Sequence, residues 1–125
     1  HVLLWTLAAD STGERAWIDV ARAAAADMVE GSRAGRGTVP FLCCGQVGAA
    51  YALLALHASA RDPRHLAAAV DMAERAQARI REPALQPTSL FRGALGLAVL
   101  AAHLGAPDEA LFPIFGLPTG RIGAP

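Results

Sequence analysis

Polar and apolar residues along the chain follow the period of amphipathic α-helices in two segments, residues 14–30 and 63–82. Gly31 is the expected stop of the first helix, and Asp62 is the expected cap of the second, ahead of a proline suited to the first helical position. The second helix is expected to end near Glu82, because the next residue is proline. The expected buried positions are Trp17, Ala21, Ala24 and Met28 in the first helix, and Leu66, Val70, Ala73 and Ile80 in the second.

Two other segments, residues 45–58 and 91–104, are more uniformly apolar and predict helices that are buried on most sides. Each contains a Gly-x-x-Gly pattern, from Gly45 and from Gly93, 48 positions apart. A polar turn repeats between residues 7–17 and 56–66 at an offset of 49. Helix pairs that alternate apolar and amphipathic members predict an all-α fold in two layers, either a closed α/α toroid or an open solenoid.

The paired glycines predict a close backbone approach, because glycine weakens a helix by about 1 kcal/mol relative to alanine. For Gly93 and Gly96 tight helix packing is the favoured explanation. For Gly45 and Gly48 a ligand stays open as well, because both cysteines of the chain, Cys43 and Cys44, directly precede them.

Composition narrows the function classes only a little. The chain is 54% hydrophobic and 18% charged, below the roughly 25% of ordinary domains, so much helix surface is expected to be buried. Arginine balances the 11 acidic residues, which gives no argument for nucleic-acid binding. No apolar run reaches the ~18 residues of a membrane span. Adjacent cysteines make a poor disulfide framework, which favours a reducing, cytoplasmic setting. The chain begins with His1, and we expect a piece of a longer protein.

The cysteine pair is the main chemical signal. A helix N terminus stabilises thiolate, which is the form that binds zinc and the form that attacks carbon. Two thiolates do not complete a zinc site, so a third ligand has to come from elsewhere. The alternative is that Cys43 and Cys44 are two small buried hydrophobic residues.

The other candidate ligands are four histidines, all expected as surface or packing residues. His57 and His103 lie about two to three helical turns from the cysteine end, too far to share a metal with Cys43. His65 is expected on a solvated face, and His1 lies at the start of the chain. No pair of carboxylates stands out as acid and base, and no glycine-rich phosphate loop occurs.

Three stretches resemble one family. "FLCCGQVGAAYALLAL" followed by "DPRHLAAAVDMAERA" resembles the lanthionine synthetase C-like (LanC-like) family. "SLFRGALGLAVLAAHLGAPDEALFPIFG", with the motif Ser89 to Gly93, resembles the end of that family's domain in the form fused behind a protein-kinase-like region. "HVLLWTLA" resembles the helix that directly follows the family's first zinc motif, Trp-Cys-x-Gly-x-x-Gly.

The resemblance implies that residues 1–125 are the C-terminal part of a single LanC-like cyclase domain, a partial ring of an α/α toroid. It implies that Cys43 and Cys44 are Zn²⁺ ligands, with a further cysteine in the first motif, which these residues lack. The implied substrate is a dehydrated precursor peptide, whose cysteine thiol adds to dehydroalanine or dehydrobutyrine to form a thioether ring. Acid and base residues, and a kinase- or lyase-like region, are expected upstream.

Three alternatives remain. A non-catalytic LanC-like toroid would act as a peptide-binding or regulatory module. An unrelated toroid enzyme of the glycosidase type would need two carboxylates at the cavity, and a prenyl-transfer type is another such enzyme. An open TPR-like scaffold would have a repeat of ~34 residues, shorter than the offset seen here.

Overall fold

A computed structural model of the chain describes residues 1–37, 39–80 and 88–113. The described residues form only helices, turns and connecting segments, which confirms the all-α prediction for this part of the chain, while closure into a ring stays a prediction. The α-helices are α1 (Val2–Thr12), α2 (Ala16–Arg33), α3 (Gln46–Ala60), α4 (Pro63–Arg79) and α5 (Ala94–Gly105), followed by a short 3-10 helix (Pro107–Glu109).

The first four helices form two helical hairpins, α1–α2 and α3–α4. Each hairpin turns on a left-handed residue at the end of its first helix, Gly13 with φ 74° and Arg61 with φ 52°. These two residues are 48 positions apart, the same offset as between Gly45 and Gly93, which directly precede α3 and α5. The residues that end α1 and α3 are thus one position closer than the offset of 49 that the sequence overlay of the polar turns gives.

Helix α3 lies at the centre of the molecule and contacts the other four α-helices. It has no Asp, Glu, Lys or Arg, and its leucines Leu53, Leu54 and Leu56 have no solvent-exposed surface. Burying a leucine side chain contributes about 1.5–3 kcal/mol, so α3 supplies much of the apolar stabilisation of the fold. The prediction that this segment is buried on most sides is confirmed.

Helix α5 differs from α3, although its sequence is just as apolar. Only Gly96 and Leu100 are buried in it, and Leu95 is 45% exposed. The prediction of burial on most sides is therefore wrong for α5, because its outer face has no neighbour within the described residues.

The amphipathic helices bury faces dominated by small residues. In α2 the predicted Ala21 is fully buried, and the other three predicted positions are partly buried. In α4, however, the predicted Val70 is 38% exposed. Alanines allow α4 to approach α3 closely, so the larger Leu66 lies at the margin of the contact. The buried face of α4 consists of Ala69, Met72, Ala73 and Ala76.

The ends of these two helices follow local hydrogen bonding. Helix α2 does not stop at Gly31, because the left-handed residue that ends it is Gly35, with φ 82°. The Arg36 amide then donates to the Gly31 carbonyl, 2.8 Å away. Helix α4 begins as predicted, with the Asp62 carboxylate accepting from the Arg64 amide at 3.0 Å. The expected end near Glu82 lies outside the described residues.

None of the helices in residues 1–37, 39–80 and 88–113 is both long enough and apolar enough to cross a bilayer.

Candidate functional site

The turn that opens α3 is held by its own backbone. The amides of Gln46 and Gly48 donate to the carbonyls of Val39 and Phe41, at 2.9 and 3.3 Å. A Cβ atom added at Gly45 would overlap the Val39 carbonyl oxygen, and one added at Gly48 would overlap the carbonyl oxygen of Leu42. The close approach predicted from the two glycines is therefore made by the preceding turn and not by a ligand.

The turn that opens α5 repeats this arrangement. Gly93 has nearly the same backbone angles as Gly45, φ −149° and −139° respectively. A Cβ atom added at Gly96 would overlap the Leu90 carbonyl oxygen, just as Gly48 lies against Leu42. The close approach at Gly96 is therefore made mainly by its own preceding turn and not by tight packing against a neighbouring helix, as was predicted.

The two turns also contact each other directly. The Leu42 amide donates to the Phe91 carbonyl at 3.1 Å, and the Arg92 guanidinium lies 5.9 Å from the centre of the Phe41 ring. The residues just before α3 are thus held in place from two sides.

Cys43 and Cys44 lie at the exposed surface of the first turn as free thiols. Their sulfur atoms are 3.2 Å apart. The alternative that they are two small buried hydrophobic residues is therefore wrong, and both thiols are accessible for chemistry.

The cysteines line a cleft of about 580 Å³. The start of α1 forms another part of its wall, through His1 and Val2, and α2 contributes Asp27. Most of the lining is apolar, including Leu42, Met28, Ala49, Ala52, Met72 and Phe112. The structure thus brings the first residues of the chain and the cysteine pair, more than forty positions apart in sequence, to one cavity.

The Cys44 thiol differs from an isolated cysteine in its pKa. Hydrogen bonding with Cys43 raises the pKa of the Cys44 thiol above its usual value, and partial burial and the nearby Cys43 sulfur act in the same direction. The Arg92 guanidinium opposes the rise. The amides of Gln46 and Gly48 at the start of α3 donate to backbone carbonyls, and the stabilisation of thiolate by the helix N terminus stays a prediction.

Two histidines form hydrogen bonds away from the cysteines, as expected from their positions along the helices. His57 Nδ1 lies 2.9 Å from the Asp62 carbonyl oxygen, and His103 Nδ1 lies 2.8 Å from the Tyr51 hydroxyl. Tyr51 is 1% exposed, and burial raises its pKa, so the phenol stays neutral and joins α3 to α5.

The other two histidines correct the sequence-based expectations. His65 does not lie on a solvated face, since its side chain is only 14% exposed, and burial lowers its pKa. His1 lines the cysteine cleft instead of lying apart from it. Among the residues that the structure describes, no group of three or more His, Cys, Asp or Glu side chains is placed to hold a metal ion.

Three residues of the site were missed in the sequence. Arg92 acts electrostatically on Cys44 from the second turn, and Gln46 and Ser32 add polar atoms to the cleft. Gln46 did carry a signal, as the polar first residue of an otherwise apolar helix. The other two carry no comparable signal, because only the fold brings α2 and the second turn to the cysteines.

No family model, no curated protein and no solved structure matches this chain.

Proposed function

We propose that the chain is part of a zinc-dependent peptide cyclase that forms thioether rings in a dehydrated precursor peptide. The supporting observation is the accessible pair Cys43 and Cys44, which shares one cleft with His1 and the start of α1. The resemblance of residues 1–8 and 41–56 to the LanC-like family supplies the reaction and the α/α toroid, in which these helices are part of a ring.

The geometry of the pair suits a zinc ion. Zinc–thiolate bonds of about 2.3 Å in a tetrahedral site place two sulfurs about 3.8 Å apart. The observed separation is 3.2 Å, and a small side-chain rotation at Cys43 or Cys44 supplies the difference, because both side chains are exposed. Thiolates are also the ligands that zinc prefers.

A third ligand can reach the pair from the start of α1. His1 and Val2 line the cleft beside the cysteines, and the resemblance puts the family's first zinc motif directly before this helix. A cysteine in such a segment would enter the cleft next to Cys43 and Cys44. Three protein ligands then leave one zinc position open for a substrate, as in other catalytic zinc sites.

The residues of the cleft suit a peptide thiol as the ligand. Cys43 and Cys44 would hold the zinc ion, and coordination to it would lower the pKa of a peptide thiol and make that thiol a nucleophile at neutral pH. The apolar side chains beside the pair, among them Leu42 and Ala49, offer a contact surface to a peptide chain. The thiolate sulfur bonds to the β-carbon of a dehydroamino acid, the α-carbon takes a proton, and nothing leaves.

The test is the zinc content of the full-length protein and its Cys43→Ala variant. We expect about one zinc per chain, lost in the variant, with His57→Gln as the matched control because His57 contacts the Asp62 carbonyl and not the cleft. Cyclisation is then followed on a dehydrated peptide as the loss of alkylatable thiol at unchanged mass. A folded protein without zinc would contradict the proposal.

A second candidate is a non-catalytic toroid that binds peptides. It is favoured by the described residues offering two thiol ligands and no third group beside them. This function would be favoured over the first if the full-length protein binds peptide, does not bind zinc and does not cyclise the peptide.

A further inference from the structure

Within the part of the chain that the structure describes, two polar atoms of the cysteine cleft are buried without a hydrogen-bond partner. They are Gln46 Oε1 and Ser32 Oγ, in residues that are only 3% and 7% exposed. Both residues line the cleft that contains Cys43 and Cys44. Buried polar side-chain atoms in native proteins are nearly always paired, so two exceptions in one cavity point to a ligand that supplies the partners.

Neither residue is explained by its local structure. Gln46 is the first residue of α3, and the equivalent first residue of α5 is Ala94. Both follow a glycine with similar backbone angles. A helix can therefore start in this way without an amide side chain at its first position. Ser32 lies in the last turn of α2. The hydroxyls of Thr6 and Thr12 each donate to the carbonyl four residues earlier, at 2.9 and 2.8 Å, whereas Ser32 Oγ makes no such bond.

We propose that Gln46 and Ser32 form a subsite that binds the backbone amide of a peptide beside the cysteine pair. The Gln46 carbonyl oxygen accepts a peptide N–H, and the Ser32 hydroxyl donates to a peptide carbonyl. Both groups are neutral and can pair with an uncharged amide, and most of the cleft lining is apolar, with Asp27 and Arg36 as its charged members.

This inference rests on the proposed function for the nature of its ligand. Gln46 follows Cys44 by two residues, so a peptide held there has its own cysteine near the pair. Gln46 and Ser32 are positioning residues: they hold the peptide, and the thiol chemistry stays with the cysteines.

The test uses reversible disulfide exchange, which needs neither zinc nor cyclisation. In the full-length protein with Cys44→Ser, treated with a chelator, Cys43 exchanges with the mixed disulfide of N-acetylcysteine methylamide and 2-mercaptoethanol. The Cys43 thiol gains the amide-bearing half, and 2-mercaptoethanol leaves as a thiol. The concentration of 2-mercaptoethanol that reverses half of the labelling measures how well the cleft holds the amide. The disulfide of 2-mercaptoethanol itself is the probe without an amide.

Adding Gln46→Leu should lower the half-reversal concentration about tenfold for the amide probe, which corresponds to one lost hydrogen bond. It should leave the half-reversal concentration of the probe without an amide unchanged. It should also raise the melting temperature, because an unpaired buried atom is removed. Gln46→Ala and Ser32→Ala should lower the half-reversal concentration of the amide probe by a similar factor. The control Ser59→Ala removes a hydroxyl that is bonded to Asp10, outside the cleft, and should change neither probe.

Equal effects on both probes would overturn the inference, as would a lower melting temperature of Gln46→Leu with unchanged labelling. If the protein binds no zinc but passes this test, the cyclase proposal is wrong and the subsite proposal stands. If the protein binds zinc and cyclises the peptide but fails this test, the proposed function stands and the subsite proposal is wrong.

Discussion

The turns that open α3 and α5 have nearly the same backbone and different side chains. In both, a glycine precedes the helix and a second glycine three residues later lies against a leucine carbonyl. The two residues before the first glycine are Cys43 and Cys44 in one turn, and Phe91 and Arg92 in the other. The comparison teaches that the glycines set the shape of the turn, while the two preceding positions differ between the turns and give the first turn its two thiols.

The two helices also differ in their surroundings. Helix α3 is enclosed by its neighbours, whereas α5 leaves Leu95 exposed and Phe91 is exposed in the turn before it. The cysteine turn therefore stands on the most buried helix of the described chain. A rigid base is what a metal site needs, because its ligands have to keep their positions.

The largest effect should come from Gly45→Ala, which breaks the first turn. The added methyl group overlaps the Val39 carbonyl oxygen and lies 2.7 Å from the Phe41 nitrogen, and neither backbone atom can move aside without disturbing the turn. We expect the free energy of unfolding to fall by about 3 kcal/mol or more in urea titrations of the full-length protein. Gly105→Ala is the control, since nothing lies within 4 Å of its added carbon. Similar losses for both variants would contradict the prediction.

Gly48→Ala and Gly96→Ala sharpen the comparison, because they make the same change in both turns. Each added methyl group overlaps a leucine carbonyl oxygen, and better helix propensity offsets about 1 kcal/mol of the strain. We expect equal losses of about 2 kcal/mol in urea unfolding. Zinc content should fall more for Gly48→Ala than for Gly96→Ala, because the second turn acts on the cysteine turn only through contacts such as the bond from the Leu42 amide to the Phe91 carbonyl. An equal or larger loss of zinc from Gly96→Ala would contradict the prediction.

Tyr51→Phe tests the link between α3 and α5. It removes the 2.8 Å hydrogen bond to His103 and keeps the ring that packs on Phe112. Leaving His103 Nδ1 without this partner should lower the free energy of unfolding by about 1–2 kcal/mol. Hydrogen exchange should quicken in α5 more than in α1. Uniform acceleration across all helices would mean that the bond stabilises the whole fold and not this contact.

The helix starts and the cysteine turn could be predicted from the sequence because their signals are local. Asp62 before a proline and glycines three apart act on neighbouring backbone atoms, and the structure confirms both. The stop at Gly31 was wrong for a related reason. Two glycines compete there, and only Gly35 has the left-handed conformation, which depends on hydrogen bonds with the preceding turn.

Features that depend on tertiary packing could not be predicted. The buried face of α4 is chosen by how closely its alanines approach α3, so Val70 faces outward although it has helical spacing. The side chain of His65 is only 14% exposed, although the pattern of α4 puts it on a solvated face. In the site, the cysteines were found from their position, whereas Ser32 and His1 come from distant segments that only the fold brings together.

The smallest effect should come from Arg92→Ala, which removes the action of the second turn on the first. The guanidinium lowers the pKa of Cys44 against several opposing causes. Its loss should raise that pKa further, so alkylation of Cys44 in metal-free protein should begin at higher pH. The Cys43→Ser background isolates Cys44, and Arg33→Ala is the control, because Arg33 is not among the groups that shift the Cys44 pKa. A lower pKa in Arg92→Ala would contradict the prediction.

The hydrogen bond from the Leu42 amide to the Phe91 carbonyl makes one proton a reporter for two segments. The donor directly precedes the cysteines, and the acceptor belongs to the turn of the next repeat. That amide exchanges with deuterium only when the two turns separate, so its rate counts their separations in solution. A metal or peptide held at the cysteines would slow this one exchange, and a single resolved signal would then record occupancy without any assay of the product.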